Sequence, residues 1–279
     1  MTSVNGHRAD ATALTGVSET ALLTLRSRAN EARRDDGIID DPVAIKLIDS
    51  LDFDFSKFGL VTHQDVAVRA LAFDHSAHRY LAAHPTATVV ALAEGLQTSF
   101  WRLDAADSGH EFRWLTVDLP AIVALRQRLL PRSPRIAVRA QSALDFSWMD
   151  AVDPAKGVFV TAEGLLMYLD REEALGLIRE CAARFPGGQM MFDLPPSWVT
   201  KFTRRGFRAS LRYRVPPMPF ALSTGEIADL VNTVPGVRAV HDMPYPRGRG
   251  PVFNGLLWAI QRLPIFDPVR PTCTLLEFG

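Results

Sequence analysis

The amino-acid sequence predicts an α/β protein built on a doubly wound, mostly parallel sheet. Three observations lead there. Between residues 86 and 194, short apolar runs recur without polar alternation, as in strands covered on both faces. Segments with helical spacing separate them, which is the rhythm of parallel βαβ units. The chain has 279 residues, 47% of them apolar, enough to bury the core that such a sheet needs.

Residues 19–34 (ETALLTLRSRANEARR) read as a helix with Leu22, Leu25 and Ala29 on one face and arginines on the other. Asp41-Pro42 opens a short helix over 43–50, and a third helix covers 64–83, ending before Pro85. Strands follow at 89–92 and 112–117, then a helix at 121–130 with Ile122, Leu125 and Leu129 on its apolar face. A short strand at 136–139 and a continuous apolar one at 157–162 (GVFVTA) come next. Asp170, with Glu173 three residues on, caps a helix that runs to Phe185, and residues 189–194 (QMMFDL) form the next strand. Residues 195–219 break the rhythm with Arg204, Arg205, Arg208, Arg212 and Arg214 and a Pro-Pro-Met-Pro run, so they read as an insertion or lid. Residues 237–241 and 253–260 are expected to be the late strands that complete the sheet. The predicted organisation is a helical cap at 1–85 and a core at 86–279 carrying the lid at about 195–250, all one structural unit.

Lys+Arg and Asp+Glu number 31 each, so no net charge draws the protein to nucleic acid or an anionic membrane. No apolar run reaches the roughly 18 residues of a membrane span. The first eighteen residues lack the apolar stretch of a secretory signal, and the first fifteen or so are expected to be mobile. Cys181 and Cys273 lie far apart, outside any metal-like pair, and are expected to be reduced thiols in a cytoplasmic protein. No His/Cys/Asp/Glu cluster has metal-ligand spacing.

The turn after the first sheet strand, Ala93-Glu94-Gly95-Leu96-Gln97, is where an open α/β sheet meets its ligand. A dinucleotide site would place three glycines there to bring backbone amides to a pyrophosphate. This turn has Gly95 alone, and Glu94 adds negative charge, so a di- or triphosphate is not expected. A nucleoside cofactor without phosphate meets no such conflict. Asp118 ends the next strand, 23 residues after Gly95 (118 − 95), an offset at which a carboxylate reaches ribose hydroxyls. The alternative is a plain turn glycine and an N-cap aspartate.

Taken in order, VVALAEGLQTSFWRLD, WLTVDLPAIVALRQRLLP, SALDFSWMD, AEGLLMYLDREEA and PGGQMMFDLP resemble the leucine carboxyl methyltransferase family. Within it they are similar to the bacterial branch around the tetracenomycin polyketide O-methyltransferase. The resemblance covers about residues 19–260. It implies a seven-stranded class I methyltransferase sheet, S-adenosylmethionine as cofactor, and methyl transfer to an oxygen. By position it implies that Ala93, Glu94, Gly95 and Gln97 approach the cofactor's methionine part. Asp118 and Leu119 take the ribose side, and Ser142 and Ala143 line the adenine. Glu163 ends the fourth strand near the methionine moiety. Arg69 matches an arginine that pairs with the cofactor carboxylate, and Arg28 a basic position facing the site. Each has a structural alternative: Arg69 as an exposed helix arginine, Glu163 as a structural ion pair, Tyr168 as core packing. Where many relatives have Gly-Ala-Gly-Leu-Asp-Thr, this chain has Ala93-Glu94-Gly95-Leu96-Gln97-Thr98, and Ser142 stands where many have aspartate.

The acceptor side is expected to use Tyr168, Arg212 and Arg214, with Arg247 and Arg249 as further basic guides for an acidic substrate. A carboxylate acceptor is ionised at neutral pH and needs no base, whereas a phenol benefits from one. No base stands out, and no catalytic residue is assigned. The leading reading is an S-adenosylmethionine-dependent O-methyltransferase of a polyketide-like small molecule, working as monomer or homodimer. Alternatives are a methyltransferase of protein C-terminal carboxylates, a catalytically silent nucleoside-binding protein of the same fold, and a nicotinamide-dependent reductase.

Overall fold

The computed structural model describes residues 8–59, 64–106 and 111–279. A two-residue strand β1 (Ala9–Asp10) pairs in parallel with β2 (Leu51–Asp52). Helices α1 (Thr20–Ala32) and α2 (Pro42–Asp49) lie between them in sequence, and α3 (Gln64–Ala83) leads into the main sheet. Ala9, Ala11 and Leu14 are buried against these helices. The stretch expected to be mobile is therefore anchored from Ala9 onward; residues 1–7 lie outside the described residues.

The main sheet alternates β3 (Thr88–Leu92), α4 (Ser99–Ala106), β4 (Arg113–Asp118), α5 (Pro120–Leu129), β5 (Ile136–Ala140), β6 (Val158–Ala162), α6 (Arg171–Arg184) and β7 (Gln189–Leu194). After β7 come α7 (Ser197–Arg204), α8 (Thr224–Ala228), α9 (Leu230–Thr233), β8 (Val237–Asp242), α10 (Pro251–Arg262) and β9 (Thr272–Phe278). Seven strands pair in the order β5-β4-β3-β6-β7-β9-β8. All pairings are parallel except those of β9, which runs antiparallel to both its neighbours.

β3 is buried along its whole length because its two faces pack on different layers. Val90 and Leu92 join the cluster that includes Leu177, Ile178 and Phe185, while Val89 and Ala91 join Phe73, Tyr80 and Phe100. Burying each Val or Leu contributes roughly 1.5–3 kcal/mol, so this strand is the axis of the core. The α6 start behaves as its sequence predicts: the Glu173 carboxylate accepts from the Asp170 N–H at 2.9 Å.

The expected strand at 253–260 is corrected. Those residues lie in α10, opened by Pro251 at its first turn, and the completing strand is β9. A short apolar run such as FNGLLWAI does not by itself distinguish strand from helix. Here Val252, Leu256 and Trp258 stay exposed along the helix. β9 (TCTLLEF) lies between β7 and β8, almost wholly buried.

The chain leaves β3 toward β4 and β5, then returns to place β6 on β3's other side. Strand order reverses there, and the crevice outside the carboxyl ends of β3 and β6 is the natural ligand position of such a sheet.

Candidate active site

At the end of β3 the backbone turns sharply: Ala93 adopts φ 48° and Gly95 φ 59°. The N–H of Ala93 donates to Val117 O at 2.7 Å and that of Gln97 to Glu94 O at 3.0 Å. The N–H of Gly95 donates to Asp118 Oδ2 at 2.7 Å, while Asp118 Oδ1 accepts from the Leu119 N–H at 2.7 Å. A Cβ on Gly95 would stand 2.8 Å from the Ala21 Cβ, so conformation and close packing both require glycine there. Three amides of this turn are already engaged and unavailable to a phosphate.

Glu94 departs from its expected part. Its side chain is only 4% exposed and pairs with Arg126 at 3.0 Å. It also accepts hydrogen bonds from Trp114 Nε1 at 3.2 Å and from the Thr116 hydroxyl. Burial raises its pKa, opposed by Arg126, Thr116 and Trp114. Its charge therefore does not make the crevice acidic; it anchors Arg126. That guanidinium donates in turn to Gly95 O at 2.9 Å and Gln97 O at 2.8 Å, so α5 holds the whole turn.

Gln97 keeps the turn tied to the next strand. Its Nε2 donates to Glu163 Oε2 at 2.8 Å, and its Oε1 accepts from Arg102 at 3.2 Å. Arg102 is buried between Asp41 at 2.7 Å and Asp74 at 2.6 Å, joining the α2 N-cap, α3 and α4. Arg69 reaches from α3 to Glu163 at 3.1 Å and to Asp193 at 3.2 Å. Burial acts to lower the Arg69 pKa, but Asp193 and Glu163 outweigh it and hold it above the ordinary value. Asp193, at the end of β7, also accepts the Gly164 N–H at 2.6 Å; burial raises its pKa against both partners. Arg28 is 1% exposed, donates to Leu96 O at 2.7 Å, and has an Nε with no hydrogen-bond partner. Burial pulls its pKa down to about 10, so it stays protonated at neutral pH.

Part of this network faces one cavity of about 450 Å³, with Arg102, Arg126 and Asp193 standing behind it. Arg28, Arg69, Ala93, Glu94, Gly95, Gln97, Asp118, Leu119, Ser142, Ala143, Glu163 and Tyr168 all border it. Ser142 is turned into its own loop, accepting from Leu144 N at 3.2 Å, and Trp148 Nε1 donates to Ala143 O at 3.0 Å. Thr20, Ala21 and Thr24 of α1 line the cavity too, with Val66, Met167, Val215 and Met218 adding apolar surface. A neighbouring hollow of about 260 Å³ shares Val66, Arg69, Met167 and Met218 with it.

The basic guides are not brought in. Arg212 donates to Asp54 at 2.7 Å on the surface, and the Arg214 guanidinium lies over Gly206. Residues 208 and 214 form an isolated antiparallel bridge that closes a bend over 209–212. Tyr213, between the two arginines, is the one that borders the cavity. Arg249 is paired with Glu31 at 3.1 Å. Arg247 borders a separate hollow of about 740 Å³ against α10, which none of the other predicted site residues touches.

Arg126, Arg102, Asp193 and Tyr213 were missed in the sequence. Arg126 had a signal: it lies four residues after Ile122, on the face that α5 buries. Asp193 had one too, as the charge that follows the apolar run Met190–Phe192 near the end of its strand. Tyr213 had none. Among the described residues, no group of three His, Cys, Asp or Glu is placed to hold a metal ion, and no helix is long and apolar enough to cross a membrane.

The chain is 34% identical over 227 residues to the tetracenomycin polyketide synthesis O-methyltransferase TcmP of Streptomyces glaucescens, covering 81% of this chain and 82% of that one. It is 27% identical over 204 residues to the S-adenosyl-L-methionine-dependent methyltransferase dpfgK of Gibberella zeae, covering 66% and 68%. A solved structure from Thermobifida fusca, assigned as a methyltransferase, superposes with a TM-score of 0.51 at 16% identity over 91% of this chain and 94% of that one, a likeness of fold. The sequence profile of the leucine carboxyl methyltransferase family matches residues 21–182. The chain belongs to the leucine carboxyl methyltransferase family.

Proposed function

We propose that this protein transfers a methyl group from S-adenosylmethionine to an oxygen of a small, largely apolar molecule. The observation that carries the reading is one cavity at the sheet's switch point with Asp118 and the Gly95 turn on one side and the buried Arg28 and partly buried Arg69 on another. Each Asp118 oxygen accepts one backbone N–H and keeps a second lone pair, which suits a pair of ribose hydroxyls. The buried Arg28 guanidinium, whose Nε lies 3.7 Å from Asp41 without forming a hydrogen bond, keeps donor capacity for a carboxylate beside the Arg69–Glu163 pair. Ser142 and Ala143 border the space left for an adenine ring. Engagement of the Ala93, Gly95 and Gln97 amides within the fold favours a cofactor without phosphate.

When bound, the cofactor supplies a methyl group activated on a sulfonium. The chain's own residues hold acceptor and donor in line, and orientation of this kind lowers barriers by about 7–11 kcal/mol. No histidine borders the cavity among the described residues. Burial raises the pKa of both Tyr168 and Tyr213, so neither phenol is a base at neutral pH. An acceptor that arrives ionised, such as a carboxylate, suits such a site. The name of the Streptomyces relative supports an oxygen acceptor and a polyketide-like substrate.

Calorimetric titration with S-adenosylhomocysteine tests the cofactor half, with binding in the micromolar range expected and none for NADH. Methyl-labelled S-adenosylmethionine, incubated with a panel of aromatic polyketide acids, tests the transfer. Label appearing in an ester or ether product is the expected result; nicotinamide binding in place of S-adenosylhomocysteine would overturn the reading.

A further inference from the structure

Tyr213 is 1% exposed, borders the cavity, and has a hydroxyl without a hydrogen-bond partner. A buried orphan of this kind costs stability unless something enters to satisfy it. The side chain is held firmly. Its ring meets Phe58 edge-on at 4.8 Å, its N–H donates to Ser210 Oγ at 3.0 Å, and Ser210 Oγ donates to Lys57 O. The nearest ionisable groups acting on the hydroxyl are Tyr168 and Glu19, and Glu19 is already paired with Lys57. Val215 and Met218, just beyond in the chain, add apolar surface to the same cavity.

From the orphaned hydroxyl, its fixed position and its apolar surroundings, we infer that Tyr213 is the acceptor-binding residue of this site, donating a hydrogen bond to an oxygen anion on an apolar, ring-containing substrate. This rests on the methyltransferase reading above and narrows its substrate. Burial raises the phenol's pKa, so it remains a donor at neutral pH. A protonated phenol beside a carboxylate or phenolate fixes the acceptor without taking its charge away, which leaves the oxygen nucleophilic. The 195–219 segment thus contributes to the site through a hydroxyl rather than through arginines. A cationic guide would hold an acidic substrate more tightly but lower the nucleophilicity of the oxygen that must attack.

The test compares wild type with Tyr213→Phe, using 1-hydroxy-2-naphthoic acid as the probe acceptor in calorimetry on protein saturated with S-adenosylhomocysteine. Removal of one hydroxyl that bonds nothing should leave the thermal midpoint equal or higher. Affinity for S-adenosylhomocysteine should be unchanged, and affinity for the naphthoic acid should fall at least about tenfold, as for loss of a hydrogen bond to a charged group. Equal acid binding by both proteins, or no acid binding to the loaded wild type, overturns the assignment. A loss of S-adenosylhomocysteine binding in Tyr213→Phe overturns it differently, by moving the tyrosine to the cofactor's side. A wild type that takes up no S-adenosylhomocysteine at all defeats the function reading first, and the inference with it.

Discussion

On the strand side of the cavity, Asp118 and Glu163 have both carboxylate oxygens held by partners from other residues, and Glu94 has one oxygen held by Arg126, Trp114 and Thr116 while its other is unpartnered. On the side formed by residues 213–218, the polar group is a single phenol with no partner. The first wall is preorganised and changes little when a ligand arrives; the second is completed by the ligand. Such a division suits an enzyme that holds one constant cofactor and one variable acceptor. The most direct way to break it is to remove Arg126, which joins α5 to Glu94, Gly95 and Gln97. Arg126→Met leaves a buried carboxylate unpaired and two carbonyls without their donor. Loss of one partner from a buried pair costs about 3–5 kcal/mol. A drop of that size in denaturant unfolding, together with loss of S-adenosylhomocysteine binding, is expected. An unchanged midpoint would mean that the turn holds itself.

Asp118 sharpens the comparison through pH. Burial raises its pKa above 3.8, against the N–H groups of Gly95 and Leu119. Its linkage to stability therefore runs opposite to that of an ordinary paired aspartate. The contribution is full below the unfolded pKa and is lost as pH rises through the folded one. Cofactor binding has the reverse sign, because ribose hydroxyls donate to the ionised form. S-adenosylhomocysteine affinity should fall as pH drops through the Asp118 pKa. Glu94 and Asp193 are also raised, so the difference between wild type and Asp118→Asn isolates this group. At neutral pH the asparagine variant should bind roughly 10- to 100-fold more weakly. Equal affinity in the two proteins at pH 7 would take Asp118 out of the site.

The strands from β3 to β7 were legible because each is a short, mostly apolar run separated from the next by helical spacing or turn residues, and the position of the crevice at their ends follows from that order. What escaped was of two kinds. At the C-terminus, 253–260 reads as a completing strand and 272–278 is left unassigned; both are short apolar runs, and the exposure of Val252, Leu256 and Trp258 shows the first to be a helix on the surface. In the site, the residue types were legible and their partners were not. Glu94 reads as a free charge in sequence, and Arg126 neutralises it from 32 residues away (126 − 94). Gln97 reads as a loss of charge relative to aspartate, yet its two ends bridge Glu163 and Arg102. Pairing across segments is a property of the folded crevice and leaves little trace in local spacing.

A smaller effect is expected at Ala93, whose φ of 48° belongs to the left-handed region. A residue with a Cβ is strained there by about 1–2 kcal/mol, partly offset by the greater freedom that glycine has when unfolded. Ala93→Gly should raise unfolding free energy by up to about 1 kcal/mol and leave S-adenosylhomocysteine binding intact. A loss of stability would show that the alanine methyl packs better than the backbone is strained.

The smallest effect separates Tyr213 from its neighbour. Arg212 is exposed and its guanidinium is occupied by Asp54 and the Ser56 hydroxyl. An exposed pair of this kind contributes little, because water screens both charges. Arg212→Ala is therefore expected to leave the thermal midpoint and the affinity for 1-hydroxy-2-naphthoic acid where they are, at low salt as well as high. A salt-dependent loss of acid binding in that variant would mean that the arginine steers the anion toward the cavity before the tyrosine receives it, and the two walls would then differ in contact but not in charge.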